Sequence, residues 1–173
     1  MDFVCAKTDL LHGVQIVSNA IPSATSESVL LNILLKADRE KNDLSLFATD
    51  NRVSIRQTLP IKAESDGEIS VPGSLFNDIL QSIQTVSAEE LRLSCSEDKR
   101  IELTSDEASY KIGGSDPRSF PLIPSPEGDI EFEISGELLR SMIRQIAVTS
   151  SAGPGVAQGY DKALMDAKDG SLT

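Results

Sequence analysis

One histidine, two cysteines, a few paired carboxylates and a glycine-rich run near the end are the residues of this chain that could do chemistry. None of them is arranged for it. His12 stands alone within a run of helical spacing, without a second histidine to share a metal or relay a proton. Cys5 and Cys95 are far apart and belong to no C-x-x-C pair; both sit in alternating apolar segments, where a thiol packs as a small hydrophobe. A structural zinc site needs about four ligands, so no metal is expected. Glu89 and Glu90 fall at a turn, where paired carboxylates are solvated. "GPGVAQG", Gly153 to Gly159, has the wrong glycine spacing for a dinucleotide fingerprint, and no strand leads into it. G-x-S-x-G, H-E-x-x-H and Walker A patterns are absent. The expectation is a non-catalytic protein without a cofactor, whose function lies in its surfaces.

Charge narrows what those surfaces can meet. The 173 residues carry a net charge of −11, which argues against a generic nucleic-acid binder unless a few cations are gathered on one face. Hydrophobic residues make up 39% and aromatic ones only 4%, with no Trp, so the core must be built mainly from Leu, Ile and Val. No apolar run approaches a membrane span, and Asp2 and Lys7 bracket too short an apolar run for a secretory signal. These features predict a soluble, cytoplasmic protein.

The elements behind those surfaces come in a repeated order. Residues 2–7 alternate as a strand. Thr8 stands at an N-cap position with Asp9 in the first turn, and Leu10, Leu11, Val14, Val17 and Ile21 follow at helical spacing. Ser28 to Asp38 reads as a long strand covered on much of both sides. "LSLFATD" and "RVSIRQTL" are two more strands around a tight Thr49-Asp50-Asn51 turn. The order β-α-β-β-β then recurs. Gly67 to Val71 is a strand, and Pro72 opens a helix with Leu75, Phe76, Ile79, Leu80 and Ile83 along a broad face. "LRLSCS", "RIELTS" and "ASYKIG" alternate after it. Residues 1–114 thus form a first domain of two such units. Residues 115–128, rich in proline, read as a linker. A third β-α unit starts at 129–150 with "FEISGELLRSMIRQ", an echo of the N-terminus. Residues 151–173, rich in Gly, Ala and Asp, are expected to be disordered.

This pattern resembles the bacterial sliding-clamp family, the beta subunits of DNA polymerase III. The resemblance is carried by "LLNILLKADREKNDLSLFATDNRVSI", "ISVPGSLFNDILQSI", "YKIGGSDPRSFPLIP" and "FEISGELLRSMIRQ", in that order, over about residues 1–150. It implies an α+β DNA-clamp fold with helices on an inner face and sheets outside. In that family each chain has three such domains, and two chains close head-to-tail into a ring around duplex DNA. The ring tethers polymerase by topology, without catalysis. After Ser150 the sequence departs from the family pattern, so a truncated, frameshifted or fragmentary clamp is expected, lacking the pocket that takes the peptides of polymerase and clamp loader.

The resemblance assigns sites residue by residue. Arg140 and Arg144, at i,i+4 on the third helix, share one face and are the candidate DNA-facing cations, with Lys7 a further one. Phe76, Ile79 and Ile83 on the second helix and Tyr110 and Ile112 on the last strand match positions that meet the partner chain. Self-association through the edge of the first domain is therefore expected, with duplex DNA, polymerase and clamp loader as partners. The alternative is a stand-alone acidic interaction domain derived from a clamp.

Overall fold

A computed structural model describes residues 1–83, 90–96, 98–105, 108–121, 123, 133–147, 164–168 and 171–172. The chain divides into two compact units, Met1–Pro124 and Ser125–Thr173.

In the first unit, strand β1 (Asp2–Ala6) buries Phe3 and Cys5 by alternation and runs without a loop into helix α1 (Lys7–Ser18). The sequence places an N-cap at Thr8. The helix instead starts two residues earlier, with Ala6 at the N-cap position, because Ala6 keeps the extended backbone of the strand and no side chain caps the end. Leu10, Val14 and Val17 recur at three and four residues and are fully buried. The expected continuation of the helix to Ile21 fails because Asn19 closes it. Its side-chain amide donates to the Gln15 carbonyl at 3.1 Å and the Ile16 carbonyl at 3.0 Å, and its backbone N–H also donates to the Ile16 carbonyl, so that one residue serves the acceptors of the last turn.

The long strand expected from Ser28 is shorter. Ser28–Leu31 forms a 3-10 turn, with the Leu30 N–H donating to the Glu27 carbonyl, and β2 is Asn32–Asp38. β3 (Asp43–Thr49) and β4 (Ser54–Pro60) flank the expected tight turn. There Asp50 Oδ1 accepts from the N–H groups of Arg52 and Val53, and Asn51 takes φ of 68°. A further strand, β5 (Lys62–Ser65), was not legible as a separate element. It continues β4 past the buried Ile61, whose N–H donates to the Asn42 carbonyl. β6 (Gly67–Pro72), α2 (Gly73–Ser82), β7 (Glu90–Cys95), β8 (Arg100–Thr104) and β9 (Ser109–Gly113) complete the second copy.

The two copies do not form a sheet each. One sheet has the order β5-β1-β7-β8-β9 and the other β4-β3-β2-β6, all antiparallel. The first strand of each copy thus pairs with the second strand of the other. The ends are crossed in the same sense: β4 continues as β5 beside β1, and the chain after β9 returns to bridge Ser115 to Ser70 of β6. Neither copy can bury its apolar face alone, since half of each sheet belongs to the other. α1 and α2 pack on one another and on the sheets around a single core that includes Phe3, Leu35, Leu46, Phe76, Leu93 and Leu103. Close approach of α1 depends on Gly13, where a Cβ would meet Leu46 Cδ1 at 2.9 Å and Leu59 Cδ2 at 3.1 Å.

Residues expected as linker begin as part of this unit. Ser115 is bridged to β6, Pro117–Ser119 forms a 3-10 turn against it, and Phe120 is buried. In the second unit, α3 (Gly136–Ala147) is capped by Ser135 Oγ, which accepts from the Leu138 N–H at 3.2 Å. Its apolar Leu138 and Ile143 are more than half exposed. β10 (Ala167–Lys168) pairs with β11 (Ser171–Leu172). The expected linker from residue 124 onward, most of the expected third-unit strand over 129–134 and most of the expected disordered tail lie outside the described residues; Glu133 and Ile134, which are described, are not in a strand. Among the described residues no helix is long and apolar enough to cross a membrane.

Candidate nucleic-acid and subunit interfaces

Of the three candidate DNA-facing cations, two stand on a common surface. Arg140 and Arg144 are exposed on α3 and, with Glu137, Ser141 and Gln145, line one shallow hollow along that helix. One turn of separation places both guanidinium groups where a single polyanion could reach them. Glu137 on the same face offsets part of that charge.

Lys7 departs from the expectation. It is only 3% exposed, and its Nζ donates to the carbonyl of Ile83, the residue that ends α2. The cause is the direct strand-to-helix junction: α1 begins at Lys7, which points its long side chain into the fold instead of out of it. There it serves the carbonyl end of the neighbouring helix, where a cation is favoured. It does not reach a surface that duplex could touch.

The five candidate interface residues separate into two groups. Phe76, Ile83 and Ile112 are buried in the core of the unit, at 0%, 6% and 1% exposure, so their side chains are occupied within the chain. Ile79 and Tyr110 are partly buried hydrophobics packed against that core, with surface still open. Tyr110 lies on β9, an end strand of its sheet. The side of β9 away from β8 pairs with no strand among the described residues. An edge strand with unpaired N–H and C=O groups and a flanking aromatic is a template for strand addition by another chain.

A joint that sequence reasoning missed fixes the chain where it leaves this edge. Asp116 accepts from Lys99 Nζ at 3.0 Å and from Arg118 through its backbone N–H at 3.0 Å, Nε at 3.2 Å and Nη2 at 3.1 Å. Those bonds hold its carboxyl far below the usual carboxylate range, the Arg118 side chain contributing most. The signal was present in the Asp-Pro dipeptide, a turn-opening pair that places a carboxylate over the N–H groups that follow.

Among the described residues no group of three or more His, Cys, Asp or Glu could hold a metal ion. The two cysteines differ in the way their positions dictate. Cys5 is buried, and burial chiefly, with Asp9 and Glu90 nearby, pushes its thiol up to about 12. Cys95, expected to be buried, is only partly so because it lies near the end of β7. Only the thiolate is nucleophilic. In folded protein near pH 8, a thiol-alkylating reagent should therefore modify Cys95 first and Cys5 only on opening of the unit. Equal rates at the two sites, read by peptide mass spectrometry, would contradict the burial of Cys5.

Comparison with known proteins follows the same boundaries. The DNA polymerase III beta subunit, N-terminal domain, is matched by residues 1–124. A beta sliding clamp from Synechocystis sp. is 31% identical over 131 residues, covering 74% of this chain and 34% of that protein. One from Staphylococcus epidermidis is 26% identical over 176 residues, covering 96% and 45%. Among solved structures, the DNA polymerase III subunit beta of Pseudomonas aeruginosa superposes with a TM-score of 0.85 at 23% identity, covering 99% of this chain and 45% of that one. The beta subunit from DNA polymerase of Streptococcus pyogenes gives 0.80 at 21%, covering 88% and 40%. The chain spans less than half the length of these proteins, and the α+β clamp fold expected from the sequence is the fold they share with it.

Proposed function

Because the chain belongs to the family of DNA polymerase III beta subunits, the bacterial sliding clamps, we propose that it supplies the N-terminal part of a DNA-replication processivity factor. The observation that carries this reading is the crossed pair of β-α-β-β-β copies. It lays α1 and α2 side by side against two continuous sheets and leaves the outer edge of β9 without a strand partner among the described residues. Such a unit is a ring segment: a stiff sheet with one edge for a neighbour and a helix layer toward whatever is encircled. Tethering by encirclement needs no nucleophile, base or metal. In this reading the chain is a non-catalytic subunit working beside a polymerase in the cytoplasm. Its first clamp domain runs past the expected boundary at 114 to about residue 124, the rest of the expected 115–128 linker follows it, and 129–150 open the second domain, with 151–173 divergent. Duplex DNA is held without regard to sequence. Polymerase and clamp loader are the protein partners, and the β9 edge, which carries Tyr110, is the subunit contact.

A domain exchange tests this. Residues 1–124, the compact first unit, replace the corresponding domain of the Synechocystis clamp, and the chimaera is loaded onto a nicked circular plasmid by that clamp's own loader. Retention at physiological salt, with release when the plasmid is cut, is the expected result. A folded chimaera that washes off circular and linear DNA alike would sink the proposal. The 173-residue chain by itself, with its net charge of −11, should be retained on neither.

A further inference from the structure

Resting on the clamp reading, we infer that the helix layer of the first unit is a phosphate-excluding sector, and that the duplex contacts of this chain fall on Arg140 and Arg144 of α3. The basis is the placement of charge. Residues 8–35 and 63–91 contain no Lys or Arg. These two cation-free bands occupy comparable places in the two copies: the first runs from the second residue of α1 through the segment that follows that helix, and the second covers all of α2 and the segments at both its ends. The one lysine on these helices, Lys7, is turned inward to the Ile83 carbonyl. The exposed titratable groups that remain on α1 and α2 are Asp9, His12 and Asp78, set among neutral side chains such as Gln15 and Gln81. A layer of two carboxylates and amides offers phosphate no counter-charge and repels it weakly.

The cations of this unit lie on the strands and their turns instead, and most are already engaged. Lys36 pairs with Glu68, Lys62 with Glu90, Lys111 with Glu102, and Arg92 with both Asp2 and Glu64. Arg140 and Arg144 stand in a different setting, exposed on one face with a single carboxylate, Glu137, among the residues of the same hollow. The chain therefore divides its two helix surfaces by task. The first unit's layer lets duplex pass without adhering, and the second unit's helix holds it.

The test uses the isotopically labelled full chain and a short mixed-sequence duplex at low salt, followed by amide chemical shifts. Shifts over 137–145, with none over 8–19 and 73–82, are expected. With two phosphate contacts, affinity should weaken about tenfold between 50 and 200 mM salt. The double variant Arg140→Gln/Arg144→Gln should lose nearly all of that salt dependence. Shifts of similar size over 8–19 or 73–82 would overturn the inference while leaving helices toward duplex, and so the clamp reading, in place. Salt dependence that survives in the double variant, or an absence of shifts in α3, would overturn it as well. The clamp reading stands or falls separately, on the retention of the chimaera.

Discussion

Phe76→Ala should destabilise the first unit by about 3–5 kcal/mol, the range for truncating a fully buried phenylalanine. Phe76 and Leu80 are both at 0% exposure and one turn apart, so α2 turns this face into the shared core. The two sheets meeting there are each made from both copies and cannot collapse onto the hole without breaking strand pairs on both sides. The cavity term should therefore add to the lost transfer energy. Cys5 offers a local readout, since its side chain is buried in this unit and is expected to react on opening. At about 1.4 kcal/mol per factor of ten, its alkylation should accelerate by two to four powers of ten. Ile79→Ala, three residues along the same helix but only partly buried, should accelerate it far less. If Phe76→Ala left the labelling rate unchanged, its side chain would be available at a subunit surface, and the burial described above would be wrong.

That contrast also shows where the sequence was legible. Spacing identified the apolar stripe of α2 as a whole, because Leu75, Phe76, Ile79, Leu80 and Ile83 recur at helical intervals. It could not say which members face inward. Leu75 is 48% exposed beside a wholly buried Phe76, and only the packing of α2 against β2, β6 and α1 makes that choice. The alternation that marked the strands survived nearly to the residue at β3, β4 and β8, where turn residues such as Asp50 and Asn51 punctuate the chain. It misled at Ser28–Leu31, where an apolar run without polar interruption looks the same as strand or as 3-10 turn. The doubling of the β-α-β-β-β order was visible; the exchange of strands between the copies was not. Which strand pairs with which is decided by long-range burial, and no local residue type records it. The same limit hid the fate of Lys7. A lysine at a strand-to-helix junction reads as surface, and its burial follows from the carbonyl end of a helix that lies far along the chain.

Tyr110→Asp should abolish ring retention in the chimaera, and the geometry of a two-chain ring makes the effect larger than one contact would suggest. Tyr110 packs against the core from β9 yet keeps part of its surface open beside a strand edge that is unpaired among the described residues. If the partner adds a strand there, a carboxylate at this position is drawn out of water without a counter-charge. Desolvating an unpaired polar group costs about 1–3 kcal/mol, and a charged one more. A head-to-tail ring of two identical chains contains that contact twice. The penalty enters ring closure about twofold, on the order of 2–6 kcal/mol, or roughly thirtyfold to ten-thousandfold in the closed population. Tyr110→Phe keeps the ring and removes only the hydroxyl, so it should behave as the parent. Cys5 labelling of each variant separates a lost interface from a lost fold. A folded Tyr110→Asp chimaera that stays on circular plasmid as long as the parent would place the subunit contact elsewhere than at β9. Release of Tyr110→Asp alone, with Cys5 still protected, is what an edge-to-edge joint requires.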